Sequence, residues 1–162
     1  TGPSRVVYLD TNCSVHSCEI HGSTSTGVSV GTYSNVSDCN IYNCGGYGII
    51  CSSGLSLVWG NFLKNGDNLF TTAIHGPGTT RDNIIYISGA SNGINCSGDA
   101  CAVRGNTIVS AGGSGYGIGF TTAARLNRNV ENNYIEGFSD SGSGIDFNAL
   151  IENGTVYRNN AF

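Results

Sequence analysis

Val103-Arg104-Gly105-Asn106-Thr107-Ile108 reads V-x-x-N-x-I, and the same pattern returns along the whole chain. With Asn106 as reference, the equivalent positions are Cys18, Cys39, Asn61, Asn83, Asn133 and then Asn159 or Asn160. Successive spacings up to Asn133 are 21, 22, 22, 23 and 27 residues. Three residues earlier stand Val15, Val36, Val58, Thr80, Val103 and Val130, and two residues later Ile20, Ile41, Leu63, Ile85, Ile108 and Ile135. A further tetrad follows in most repeats, as in Gly48-Ile49-Ile50-Cys51, Gly93-Ile94-Asn95-Cys96, Gly117-Ile118-Gly119-Phe120 and Gly144-Ile145-Asp146-Phe147. In the third repeat Asn68-Leu69-Phe70-Thr71 is the best match to it.

A repeat of this length marks a solenoid. Each period holds three short segments with alternating apolar residues, the spacing of strands and not of helices. Gly, Ser, Asn and Asp between them supply turns. Three strands per period predict an all-β chain folded as a right-handed parallel β-helix of about six coils, each coil adding one strand to each of three sheets at roughly 4.8 Å. The Asn at the centre of the motif has a physical role in that fold. An amide side chain inside a bend bonds the backbone of its own turn and the amide of the next coil, so stacked Asn satisfies buried turn backbone. Cys18 and Cys39 hold the same position, and the ladder is expected to weaken there.

The 162 residues read as a single domain. Charged residues make up 11% and Gly 25 positions, which suits a turn-dense rod, while the regular Val/Ile columns exclude disorder. A net charge of −4 gives no nucleic-acid footprint, and no apolar run is long enough for a membrane span. The seven cysteines contain no C-x-x-C pair. Cys18, Cys39, Cys51 and Cys96 are expected to point inward as buried thiols, although a Cys96–Cys101 bridge is sterically open. His16, Cys18 and His21 match no zinc spacing, so neither a metal nor a cofactor is expected. The chain starts and stops within strand-like segments (Val6 to Leu9, and Asn159 to Phe162) with no capping helix in sight, as expected of an excised piece of a longer protein. The variable segments all follow the G-I-x-F strand: residues 73–79, 121–129 and 148–155 are the long ones.

Residues between the inward positions form outward columns. After the first strand's Val the column reads His16, Ser37, Trp59, Arg81, Arg104, Glu131. An exposed indole is a platform for the apolar face of a sugar, and Arg offers fork-shaped donors to carboxylates and hydroxyls. Trp59, Arg81 and Arg104 are therefore candidate carbohydrate-binding residues, joined by Arg125 of the long loop, which also holds Arg128. The alternative is a solvated face with Arg104 and Glu131 as a cross-strand pair. The G-I-x-F strand exposes Ser29, Ile50, Asn95, Gly119 and Asp146. Asp146, on a rigid strand beside a long loop, is a candidate general acid or base. Glycoside hydrolysis needs a second carboxylate; Glu131 is the candidate partner, with Glu152, Asp140 and Asp82 as other choices. The third column (Tyr42, Phe62, Ile84, Tyr86, Val109, Tyr134) is apolar and aromatic, the composition of an interface, and a trimer of parallel rods would cover it. His75 sits in His75-Gly76-Pro77-Gly78, which reads as a turn.

The V-x-x-N-x-I and G-I-x-[FC] repeats resemble the right-handed parallel β-helix superfamily of pectate-lyase-like proteins, over residues 6–162. The polygalacturonase elements N-T-D, D-D, G-H-G and R-I-K are absent, with only His21-Gly22 and His75-Gly76 as echoes. The D-P-H motif of mannuronan epimerases and the Asp cluster of pectate lyases are absent as well. What remains is most similar to a bacteriophage tailspike or surface-polysaccharide depolymerase segment. That resemblance implies a homotrimer on the virion surface or outside the cell, which binds bacterial surface polysaccharide and cleaves it with surface carboxylates if it is an enzyme. A non-catalytic structural shaft and a single-chain polysaccharide lyase or glycoside hydrolase are the other two readings.

Overall fold

The computed structural model describes residues 2–66, 69–98, 101–121, 129–139, 143–146 and 156–162. These form twenty strands in three sheets of seven, seven and six, and every pairing is parallel and joins a strand to its equivalent one coil away. Sheet I holds Arg5–Leu9, Thr26–Val30, Tyr47–Cys51, Thr72–His75, Asn92–Cys96, Tyr116–Phe120 and Ser143–Asp146. Sheet II holds Ser14–His16, Asn35–Ser37, Leu57–Trp59, Thr79–Arg81, Ala102–Arg104, Asn129–Glu131 and Val156–Arg158. Sheet III holds Glu19–His21, Asn40–Tyr42, Phe62–Lys64, Ile84–Ile87, Thr107–Ser110 and Tyr134–Glu136. The chain is thus the expected parallel β-helix. Among the described residues no helix is long and apolar enough to cross a membrane.

The motif residues fill the core. Val36, Val58, Val103 and Val130 of sheet II, Ile20, Ile41, Leu63, Ile85, Ile108 and Ile135 of sheet III, and Ile49, Ile74, Ile94 and Ile118 of sheet I are all buried. Each such side chain contributes about 1.5–3 kcal/mol by leaving water. The bend between sheets II and III explains the rest of V-x-x-N. The residue before each ladder position takes a left-handed backbone: Ser17, Asp38, Gly60, Asp82, Gly105, Asn132 and Asn159, with φ between 52° and 67°. Small or Asx-type residues tolerate that conformation best, and every coil uses one. The left-handed residue turns the chain, and the next side chain points into the bend.

There the Asn ladder forms as expected. The backbone N–H groups of Cys39, Asn61, Asn83, Asn106 and Asn133 each donate to the Oδ1 of the next ladder Asn at 3.0 or 3.1 Å. Its last member is Asn160; Asn159 is the left-handed residue before it. The side-chain amides also donate to the next Oδ1 and to backbone carbonyls, as Asn83 does to Val58 and Arg81. At Cys39 the thiol donates back to the Ser37 carbonyl at 3.1 Å, and the backbone of Cys18 bonds its sulfur.

The glycine of G-I-x-F has a packing cause. A Cβ on Gly93 would sit 2.4 Å from the Gly117 carbonyl oxygen and 2.8 Å from Ile108 Cγ2. Gly27, Gly48 and Gly117 face the same pair of obstacles, the next coil's carbonyl and a sheet III side chain. Small residues in this column let sheet I approach the Ile column of sheet III.

Three expectations need correction. The sheet I strand of the third coil is Thr72–His75, not residues 68–71. Phe70 is fully buried, but from the connection before the strand. The segment 73–79 is therefore largely strand, and only residues 76–78 connect it to sheet II. Cys18 is not buried, although its thiol donates to the His16 carbonyl as that of Cys39 does to Ser37. It lies in the first coil with one side open and is exposed, whereas Cys39, Cys51 and Cys96 are buried as expected. Cys13, Cys18, Cys39, Cys44 and Cys51 are free thiols.

Candidate functional site

Sheet II brings the expected carbohydrate-binding residues into one column. Pairing aligns His16 with Ser37, Ser37 with Trp59, Trp59 with Arg81, Arg81 with Arg104, Arg104 with Glu131, and Glu131 with Arg158. All belong to the position between the inward Val and the left-handed residue, so all project outward. The Arg81 guanidinium lies over the Trp59 ring at 5.4 Å from its centroid. The neighbour on the other side of Trp59 is Ser37, which is buried although it belongs to the outward column, and Trp59 itself is half-buried. Arg81 also pairs with Asp82 at 3.3 Å. Further along, the Glu131 carboxylate lies between two guanidiniums, 3.8 Å from Arg104 and 3.4 Å from Arg158. Arg158 was not among the expected site residues. The sequence left the last repeat ambiguous, and fixing Asn160 as the ladder residue places Arg158 in the column.

Such a column can do two things. Its indole offers a flat apolar surface with the polar edge that carbohydrate rings match. Its guanidiniums, repeating one coil apart at roughly 4.8 Å, offer paired donors to carboxylates and hydroxyls. The salt bridges are mostly exposed, so they orient side chains more than they stabilise the fold.

The carboxylates expected to work together are on different sheets. Glu131 aligns with Arg104 in sheet II, and Asp146 with Gly119 in sheet I. The register sets them on two different outer faces. Asp82 is placed beside Arg81. Arg125, Arg128, Asp140 and Glu152 lie outside the described residues.

Sheet I shows a second cluster that sequence reasoning missed in part. Its outward column runs Ile50, His75, Asn95, Gly119, Asp146. His75 enters it because Thr72–His75 is a strand and not a turn. The Tyr47 and His75 rings meet at 5.1 Å. Burial holds the His75 imidazole below its ordinary pKa, and its Nδ1 is buried without a hydrogen-bond partner. Burial and the Asp146 charge push the Tyr116 phenol up. Among the described residues no group of three His, Cys, Asp or Glu side chains could hold a metal ion.

On sheet III the expected apolar residues face outward, with Phe62, Ile84, Tyr86 and Tyr134 exposed, but the register splits them into two columns: Phe62, Ile84 and Tyr134 align with Asn40 and Thr107, and Tyr42, Tyr86 and Val109 align with Lys64 and Glu136. A groove of about 420 Å³ runs between Phe62, Tyr86 and Val109, with Lys64 and Asn65 at its rim.

No family model matches this chain, and no curated protein matches it. Among solved structures it is similar to "DFA-IIIase from Arthrobacter chlorophenolicus A6 without its lid", with a TM-score of 0.58 and 12% identity. The likeness covers 98% of this chain and 49% of that one, so this chain spans about half the length of its structural neighbour. At that identity the likeness concerns the fold: both chains share a β-solenoid.

Proposed function

We propose that this chain is a carbohydrate-recognising β-helix of the tailspike type, which binds bacterial surface polysaccharide along the outer face of sheet II. One observation carries the reading: Trp59 stands in register with Arg81, Arg104, Glu131 and Arg158 on a flat, rigid sheet face. A sugar ring packs against the solvent-facing part of the half-buried Trp59 indole, and the guanidiniums bond the hydroxyls or carboxylates of neighbouring residues of the glycan. The β-solenoid shared with DFA-IIIase supports a carbohydrate-active protein at the level of fold only.

The test is binding of bacterial surface polysaccharide to the intact protein and to Trp59→Ala, read by calorimetry. The variant is expected to lose about tenfold or more in affinity, as removal of one aromatic platform would give. Unchanged binding would remove sheet II as the site. Incubation of the polysaccharide with the protein, followed by sizing of the product, separates a binder from a depolymerase. If chains shorten, Asp146→Asn and Glu131→Gln report which face carries the chemistry, since the two carboxylates lie on separate sheets.

The apolar outer face of sheet III favours a second element of the same reading, assembly of parallel rods into a homotrimer. A shaft that only assembles and binds no glycan would show the trimer without any Trp59-dependent binding.

A further inference from the structure

We infer that the outer face of sheet I is a second saccharide subsite, built around Tyr116 and suited to a neutral sugar ring. The inference rests on the carbohydrate-binding reading above and adds a site with the opposite charge preference. Gly119 carries the geometry. It occupies the outward column between Asn95 and Asp146, where a side chain would be expected. A Cβ there would lie 2.2 Å from Tyr116 Cε2 and 2.5 Å from two further ring carbons. The phenol ring therefore lies flat in the gap that Gly119 leaves, filling the column between Asn95 and Asp146. The backbone at Gly119 is not in the left-handed region. The glycine is needed for the tyrosine and not for the turn of the chain.

The residues around the ring complete a platform. The Asn95 amide reaches the Tyr116 hydroxyl, and Thr121 Oγ1 holds the other end of that amide by donating to Asn95 Oδ1 at 3.2 Å. His75 and Tyr47 extend the aromatic surface two and three coils away from Tyr116. The raised pKa of Tyr116 keeps its phenol a donor at neutral pH, and Asp146 supplies an acceptor. An aromatic floor with one amide, one phenol and one carboxylate matches the C–H face and the hydroxyls of a hexose. The charge decides the class of sugar. From Tyr47 onward the described strands of sheet I contain no Lys or Arg, burial keeps His75 neutral, and Asp146 is the formal charge of the column. Among the described residues of these strands an anionic sugar meets a like charge without a cation to offset it, whereas sheet II offers three arginines.

The experiment is an NMR titration of the intact protein with maltohexaose and cellohexaose as neutral probes and an oligogalacturonate hexamer as anionic probe. The neutral probes are expected to shift the Tyr116, His75 and Asn95 signals, and the oligogalacturonate to shift Trp59 and the Arg81 and Arg104 signals. Gly119→Ala is the decisive variant. The three atoms nearest the added methyl all belong to the movable Tyr116 ring, so the thermal midpoint stays within a few degrees while neutral-sugar affinity falls about tenfold. Tyr116→Phe keeps the ring and is expected to lose less. Neutral-sugar binding that survives Gly119→Ala, neutral probes that shift only the Trp59 column, or oligogalacturonate bound at Tyr116 would each overturn the inference. Loss of oligogalacturonate binding in Trp59→Ala, with the Tyr116 shifts intact, would show two separate sites. Shifts at Tyr116 with no binding at Trp59 would instead remove the sheet II reading and leave this one standing.

Discussion

A single residue in this fold is used once per coil, so its value depends on the neighbours above and below. Asn83 is the plainest case. Its Oδ1 accepts from both the backbone N–H and the side-chain amide of Asn61, and its own amide donates to Val58 O, Arg81 O and Asn106 Oδ1. All of this is buried. Asn83→Ala would leave the Asn61 backbone N–H without its acceptor and remove a donor from the Val58 and Arg81 carbonyls, of which Arg81 keeps the Gly60 N–H. Unsatisfied buried groups cost about 1–3 kcal/mol each, part of which an inserted water would recover, so a net loss of about 3 kcal/mol is expected by urea unfolding. Cys39 gives the reverse experiment. It holds the ladder position with a thiol, a weak donor and acceptor. Cys39→Asn would fit a niche that five further coils fill with Asn, and it is expected to gain about 1 kcal/mol. A ladder that matters only for local geometry would show neither change; Asn83→Ala would then cost no more than the roughly 0.5 kcal/mol of a surface substitution.

At the level of the strand, the glycines separate into those that serve the core and those that serve a surface. Gly93→Ala would press a methyl against the Gly117 carbonyl and Ile108 together. Neither obstacle is a mobile side-chain end, so an overpacking cost of about 1–3 kcal/mol is expected, read as a lowered thermal midpoint. Gly119→Ala is the paired control, because the three atoms nearest its methyl all belong to the Tyr116 ring. Equal destabilisation by the two variants would contradict the assignment of Gly119 to the surface. The same contrast explains what the sequence revealed. The V-x-x-N-x-I strands were legible because each position has one physical demand that recurs in every coil: an inward apolar residue, a bend-filling amide, and another inward apolar residue. The sheet I strand Thr72–His75 was not, for two reasons. Ala73 replaces the usual Gly, and Gly76 stands where other coils place Cys51, Cys96 or Phe120. Phe70, which is buried from the connection, supplied a false apolar signal four residues too early. His75 was therefore assigned to a turn, and with it went the aromatic half of the sheet I cluster. The Trp59 column was legible because outward positions follow directly once the inward ones are fixed. Arg158 was missed because two adjacent asparagines made the last register ambiguous.

Across the whole molecule, the three outer faces differ in kind, and this difference bears on assembly. Sheet II presents an aromatic and charged column, and sheet I a polar and aromatic one. Sheet III presents apolar side chains: Phe62 is 37% exposed, Ile84 43%, Tyr86 42% and Tyr134 44%. Water-facing apolar groups of this size on one flat sheet are the composition of an interface. Packing through sheet II would bury Arg104, Glu131 and Arg158 and desolvate their charges, which costs more than it returns. Packing through the middle of sheet III buries apolar surface, with Lys64 in the groove and the exposed carboxylates Glu19 and Glu136 in its first and last strands. Rods that meet along sheet III also leave sheets I and II facing outward, free to hold glycan. Cyclic symmetry closes such an assembly, and three copies around one axis is the arrangement expected here. Light scattering coupled to size exclusion is expected to give three times the chain mass at micromolar concentration. Tyr86→Arg places a charge in the middle of that face, on a different sheet from Trp59 and Tyr116, and is expected to give a folded monomer. A wild-type protein that runs as a monomer would show that sheet III is covered by something other than its own copies. A trimer that survives Tyr86→Arg would place the contact on another face, and Trp59→Ala and Gly119→Ala would then have to be reread as interface substitutions.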